Sequence, residues 1–312
     1  MNTSALDSTL RRVFGCFLAA FAGSCTPRSD NDGARQDVPV APSATASAAV
    51  SNPRRAPGEN PFGLPATPTS AQAGDFALVP SRSSLSQAFE QAAGKQTLLY
   101  TGAYVDRPGE RESALVWLTQ QRGTVPNSLL IALPRGERAR PSEIVLTNSL
   151  SGSGLSRAIV VSAGESDSPE VRSVDLPLDG TAMESERQSV LAKNTFRVLR
   201  KPAELGTTLA CRRGERRERF LLIATAGEDT WLGLGFAGRA ELLRPSACRA
   251  LPLVPAVHAG AHVFVPVAGE FVPADVINVD ARNGRVLVKY EFAAETKEVS
   301  VGYTNVATEL PP

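Results

Sequence analysis

Five arginines crowd into eight positions of the 312-residue chain: Arg212, Arg213, Arg216, Arg217 and Arg219, with Glu215 and Glu218 between them. A guanidinium presents a rigid fork of donors that matches carboxylate and phosphate oxygens. The cluster is therefore a candidate anion site, for a lipid headgroup, a polyanionic glycan or an acidic partner. It also suits a solvated hairpin tip with local ion pairs. His258 and His262 stand four apart, a spacing that on a helix would put two metal ligands on one face. Gly260 between them and the strand-like run after them argue for a loop, and no cysteine cluster completes a tetrahedral site, so no metal is expected. A Ser-His-Asp triad would need one of these histidines, and no Gly-x-Ser-x-Gly elbow accompanies them. Gly233-Leu234-Gly235-Phe236-Ala237-Gly238 matches a dinucleotide fingerprint, which requires a helix after the glycines to face the pyrophosphate. Pro245 arrives seven residues later. The glycines are assigned to a bend or close strand approach, no cofactor is expected, and no residue stands out as catalytic.

The chain carries 33 Lys+Arg against 32 Asp+Glu, a net charge of +1. That balance argues against binding nucleic acid by phosphate neutralisation. The length allows about two ordinary domains or several small ones. Arg11 and Arg12 precede an apolar run over 13–23. A run of that length falls short of the roughly 20 residues needed to span a bilayer, and fits the core of a secretory signal. It ends in Ala22-Gly23-Ser24-Cys25, which resembles the lipobox of bacterial lipoproteins. The resemblance implies that residues 1–24 are removed, Cys16 with them. Cys25 would then be acylated as the first mature residue and anchor the protein to a membrane of the cell envelope, on its periplasmic or outer surface. An ordinary secretory signal cut after a small residue is the alternative. Residues 26–75 contain eight Pro, ten Ala and one aromatic, Phe62. Such a stretch cannot offset its ordering entropy by burial, so 25–75 is expected to be a disordered tether with a reach of about 40 Å.

The globular part begins near 76. A short helix is predicted near 84–93, capped by Ser83 or Ser84 and stopped by Gly94. Short Val-, Leu- and Ile-rich runs follow at 100–105, 114–118, 128–133 and 143–147, read as strands. Gly102-Ala103-Tyr104-Val105 recurs as Gly260-Ala261-His262-Val263 and, more loosely, as Gly206-Thr207-Thr208-Leu209. The spacing leaves room for one more unit at about 154–200, with strands near 158–161 and 170–174. Thr181 with Glu184 reads as a capping box, which makes a helix over 182–192 an alternative there.

The last unit is the clearest. Phe271-Val272-Pro273-Ala274-Asp275-Val276 is followed by an Asn283-Gly284 turn and by Arg285-Val286-Leu287-Val288-Lys289-Tyr290. This pattern resembles the small SH3-like barrel of Tudor and Agenet-type domains, well over 260–310 and loosely over 206–251 and 102–150. The resemblance implies an all-β protein of tandem small SH3-like barrels, three clear and one degenerate. The units are 76–150 (helix included), 151–203 (degenerate), 204–252 and 258–310. It also suggests that Phe271, Tyr290, Phe292 and Tyr303 form an aromatic surface able to hold a methylated cation, with core packing as the alternative for Phe271 and Tyr290. Cys211 and Cys248 would fall in the first strand and near the last strand of one barrel. An exported protein could join them as a disulfide worth roughly 3–4 kcal/mol. Two free thiols, or a redox or metal role, remain alternatives. The function expected is that of a non-enzymatic envelope lipoprotein. Its loops 107–112, 212–219 and 266–270 would bind an envelope protein or glycan, with the membrane as a second partner and no nucleic acid. A structural subunit of an envelope assembly is the second reading, and an enzyme of unrecognised type, with carboxylates paired only by folding, is the third.

Overall fold

Short β-branched and leucine-rich runs, punctuated by Gly, Pro and Asn, fold as antiparallel strands in a computed structural model of the chain. It describes residues 55–148, 154–163, 167–175 and 188–312, all within the compact unit Pro53–Pro312. Among the described residues the class is all-β with one α-helix, and none of the sheets closes into a barrel. Cys16, Cys25 and the Thr181–Glu184 pair lie outside the described residues.

The strands fall into four consecutive groups. The first holds β1 (Phe76–Pro80), β2 (Tyr100–Arg107), β3 (Glu112–Trp117), β4 (Arg122–Pro126) and β5 (Ile131–Ala132), in the order β4-β3-β2-β1-β5. The second holds β6 (Ile144–Asn148), β7 (Leu155–Ser162), β8 (Glu170–Ser173), β9 (Gln188–Val190) and β10 (Phe196–Leu199), in the order β10-β6-β7-β8-β9. The third holds β11 (Thr208–Arg213), β12 (Arg216–Ala226), β13 (Thr230–Leu234), β14 (Ala240–Leu243) and β15 (Cys248–Ala250), with β15 paired to β11. The fourth holds β16 (His262–Val267), β17 (Glu270–Asp280), β18 (Arg285–Phe292) and β19 (Glu295–Gly302), and its return pairing is a single bridge between Phe264 and Ala307. Glu218 opposite Glu270 joins the third and fourth groups into one nine-stranded sheet.

One plan recurs in all four groups. The first four strands follow one another across the sheet, and the chain then returns to pair with the first strand. A bulge interrupts the pairing of the second and third strands each time, at Val105/Arg107, Val160/Ser162, Leu222/Ala224 and Val276/Asn278. Bulges bend a strand and sharpen its twist, so each group curls in the same place. In three groups a 3₁₀ turn precedes the return: Asn127–Leu129, Pro245–Ala247 and Tyr303–Asn305.

Several local expectations need correction. Helix α1 spans Arg82–Glu90 and is capped by Ser81, whose Oγ accepts from Ser84 N at 3.2 Å. It lies between β1 and β2, so 100–105 is the second strand of its group rather than the first. Gly260 and Gly206 precede first strands, whereas Gly102 sits inside β2 because a Cβ there would collide with the Phe76 ring. The shared tetrapeptide thus marks different places in the plan. The run 128–133 divides into the Asn127–Leu129 turn and β5, and 188–190 is strand β9 rather than helix. The stretch read as tether is packed in its last part. Leu64 and Ala71 are buried in the main core, and Asn60 donates to Leu64 O at 2.7 Å while its Oδ1 accepts from Phe62 N and Leu64 N at 3.1 Å.

Candidate functional site

β11 and β12 form a hairpin closed by Gly214-Glu215, with Gly214 at φ 60°. Pairing sets Arg213 opposite Arg216 and Arg212 opposite Arg217. Because strand side chains alternate between faces, the five arginines do not share one surface. Arg219 turns inward. Its Nε donates to Asn305 Oδ1 at 2.8 Å, and its guanidinium lies 3.6 Å from Asp175 Oδ1. Burial, and then the nearby Arg157, draw its pKa down to about 10 against the pull of Asp175. Arg217 Nε donates to Pro311 O at 2.7 Å. Arg213 pairs with Glu241 and lies 5.8 Å from the Phe220 ring. Arg216 lies 3.8 Å from Glu270 with both exposed, a pairing that contributes little. Arg212 has no side-chain partner among the described residues. The expected loop site therefore divides into two structural arginines, two ion-paired ones and one free one.

Next to Arg212 is a groove of about 350 Å³ between the end of β11 and β14, lined by Arg212, Arg213, Leu242, Arg244 and the Cys211–Cys248 disulfide. The cysteines face each other in the β11–β15 register, which sets aside the free-thiol and metal alternatives. Arg244 is exposed and has no side-chain partner among the described residues. Leu242 is 46% exposed. Neither residue is prominent in the sequence, because both lie more than twenty positions from the arginine cluster. Strand β14, which ends at Leu243, brings Leu242 to it, and Arg244 follows directly, before the 3₁₀ turn that Pro245 opens.

A second cluster was also hidden. Arg157 on β7 is fully buried; its Nε lies 3.0 Å from Asp175 Oδ1, and its terminal nitrogens reach Thr208 and Asn305, the latter at 3.1 Å. Burial raises the Asp175 carboxyl, but the charges and hydrogen bonds of Arg157, aided by Arg219, hold it below the ordinary carboxylate value. These contacts tie three strand groups together, so the cluster is structural.

The four aromatics do not converge. Phe271 is buried with Ala210, Leu251 and Ala307. Tyr303 is buried in a different cluster, against which Tyr290 packs. Burial, then the Asp280 carboxylate, raises the Tyr303 phenol. Phe292 is exposed, with Lys297 Nζ 5.8 Å from its ring. Phe271 and Tyr290, for which packing is the alternative, are buried and partly buried, respectively, against core clusters, and Tyr303 is buried as well. Two proposed contact loops are also tied down: Arg219 N donates to Gly269 O at 2.8 Å, and Asn127 Nδ2 to Gly109 O at 2.9 Å.

His262 Nδ1 lies 2.5 Å from Asp275 Oδ1 on the exposed face of β16 and β17, and His258 is exposed in the preceding loop. Among the described residues no group of three His, Cys, Asp or Glu side chains could hold a metal. The glycines of the apparent fingerprint pack closely: a Cβ on Gly235 would lie 2.9 Å from Phe220 Cε1, and one on Gly238 would lie 2.8 Å from Leu98 O. A three-residue 3₁₀ turn follows Gly235, not a helix. No family model matches the chain, and no curated protein matches it.

Proposed function

We propose that the protein is an exported lipoprotein, anchored through Cys25, whose four SH3-like units recognise a component of the cell envelope without catalysing a reaction. The observation that carries this reading is the fourfold recurrence of one strand plan, with a bulge at the same place in each group. The plan is in keeping with the resemblance of 260–310 to SH3-like units, a scaffold that hosts many functions, binding among them. The Cys211–Cys248 bond supports export, since disulfides persist in oxidising compartments.

Two measurements on the natural protein test the reading. The mass of the amino-terminal peptide should correspond to Cys25 carrying acyl chains, and Cys25→Ala should release the protein from membranes. The mature chain should also pellet saturably with isolated cell-wall sacculi or with envelope membranes. An unmodified amino terminus would remove the anchor, and absence of pelleting with either fraction would remove the binding role.

A structural subunit of an envelope assembly is the second reading. Leu99 and Phe236 are 58% and 61% exposed; Phe236 opens the Phe236–Gly238 turn, and Leu99 follows Leu98, whose N donates to Gly238 O at 2.8 Å. Exposed large apolar side chains near one turn suit a protein interface. A complex that survives detergent extraction and is lost with Leu99→Ser and Phe236→Ser would favour it.

A further inference from the structure

The outer edge of β14 is only half covered. Residues 96–98 run along its first part: Leu98 N donates to Gly238 O at 2.8 Å, Ala240 N donates to Gln96 O at 2.8 Å, and Thr97 sits opposite Arg239. Main-chain groups of a strand point alternately to its two sides. Arg239 O accepts from Gly235 N at 2.7 Å, so Arg239 faces β13 while Ala240 faces outward. Leu242, two residues on, therefore also turns its N–H and C=O outward. The cover has ended by then, and β13 is the only strand paired with Leu242 among the described residues.

The uncovered half borders the groove. Arg212 and Arg244 are free there, Arg213 is nearby, and no acidic side chain is part of the lining. A chain of nearly balanced charge thus places two unpaired arginines, Arg212 and Arg244, beside one open strand edge, while Arg213 is held by Glu241.

We propose that an extended acidic peptide segment of an envelope protein adds as a strand to β14 at 242–244. Its backbone bonds to Leu242, and its carboxylates meet Arg212 and Arg244. This rests on the reading of the chain as an envelope-binding protein. Strand addition draws affinity from main-chain hydrogen bonds and specificity from alternate side chains. Charge complementarity selects the occupant, and the exposed Leu242 side chain gives an apolar contact between the acids. Residues 96–98 already use the same edge in this way.

The test uses the full mature chain and a fluorescent peptide of about eight residues alternating Glu and Val, long enough to extend as one strand past the open edge at 242–244. Three comparisons accompany it: the Lys-for-Glu peptide, an N-methylated peptide that keeps the charges but loses alternate amide donors, and the variants Arg212→Glu/Arg244→Glu and Leu242→Pro. The Glu peptide should bind saturably, and the Lys peptide should not. N-methylation and each variant should weaken binding at least about tenfold, or 1.4 kcal/mol. The double charge reversal lies at exposed positions, so it remains informative if Leu242→Pro fails to fold. No binding of the Glu peptide overturns the proposal. Equal binding of the methylated peptide overturns strand addition, and equal binding by the charge-reversed variant overturns the site. The same proteins are then pelleted with envelope fractions. Wild-type and charge-reversed chains pelleting alike would sink this site alone, whereas failure of the wild type to pellet would sink the underlying reading.

Discussion

Asp175 Oδ1 accepts a hydrogen bond from Arg157 Nε at 3.0 Å and lies 3.6 Å from the guanidinium of Arg219, so two largely buried cations share one carboxylate. Asn305 Oδ1 completes the set by accepting from both arginines, at 3.1 Å and 2.8 Å. Arg157 comes from the second strand group, Arg219 from the third, and Asn305 follows the fourth. The cluster therefore fixes how three groups pack.

Removing the carboxylate leaves two buried cations uncompensated. Asp175→Ala should lower stability by about 3–5 kcal/mol, the usual cost of breaking a buried pair from one side. Replacing Arg157 and Asp175 together by Leu and Ala should cost less than the sum of the single changes. Urea unfolding of the four proteins measures the coupling. Additive losses would show that the two residues do not act as a pair.

The same carboxylate sets an acid limit. Its folded pKa lies below the unfolded value of about 3.9. Between those values the unfolded chain binds more protons, so stability rises with pH in that window. The contribution is complete above the unfolded value and is lost as pH falls through the folded one. Urea midpoints should therefore drop below about pH 4, and the gap between wild type and Asp175→Asn should narrow in acid. A constant gap would separate Asp175 from the acid response.

Much of the strand pattern was legible because half-buried strands alternate. The last group is the clearest case, with Val286 and Val288 buried on β18 and Lys289 exposed. Arg157 was not legible for the opposite reason. Residues 156–160 of β7 are all buried, so both faces of the strand are covered and alternation carries no signal. The first group was misread by one strand because α1 interrupts its first connection and separates β1 from β2. The arginine cluster was visible as composition, but its division among Asn305, Pro311, Glu241 and solvent depends on pairing register. The groove needed Arg244 and Leu242, which only the course of β14 brings near Arg212.

The disulfide joins β11 to the return strand across a sequence separation of 37. Cross-linking a loop of that size restricts the unfolded chain by up to about 4 kcal/mol in the chain-entropy treatment. Cys211→Ser/Cys248→Ser should therefore unfold at lower urea concentration. The buried Cys211 makes the serine variant somewhat worse, and Cys211→Ala/Cys248→Ala isolates the cross-link. If the alanine pair were as stable as the wild type, the bond would contribute nothing to this fold.

Two glycines test two different reasons for lacking a side chain. Gly302 ends β19, where an added Cβ would lie 2.7 Å from the carbonyl carbon of Val174 and closer still to its oxygen. That neighbour is backbone and cannot rotate away. Val174 N donates to Arg157 O at 3.0 Å, so any shift also disturbs the buried charge cluster. Gly302→Ala should cost about 1–3 kcal/mol or more, as overpacking does. Gly214, in the β11–β12 turn, has open space where a Cβ would go but holds φ at 60°. Its replacement by Ala should cost about 1–2 kcal/mol for the left-handed conformation alone. Asn tolerates that conformation better than Ala, so Gly214→Asn should recover part of the loss, whereas Gly302→Asn should be worse than Gly302→Ala. Urea unfolding of the four variants separates the two causes. Recovery by Asn at both positions would mean that Gly302, too, is kept for its backbone angles rather than for its contact with Val174.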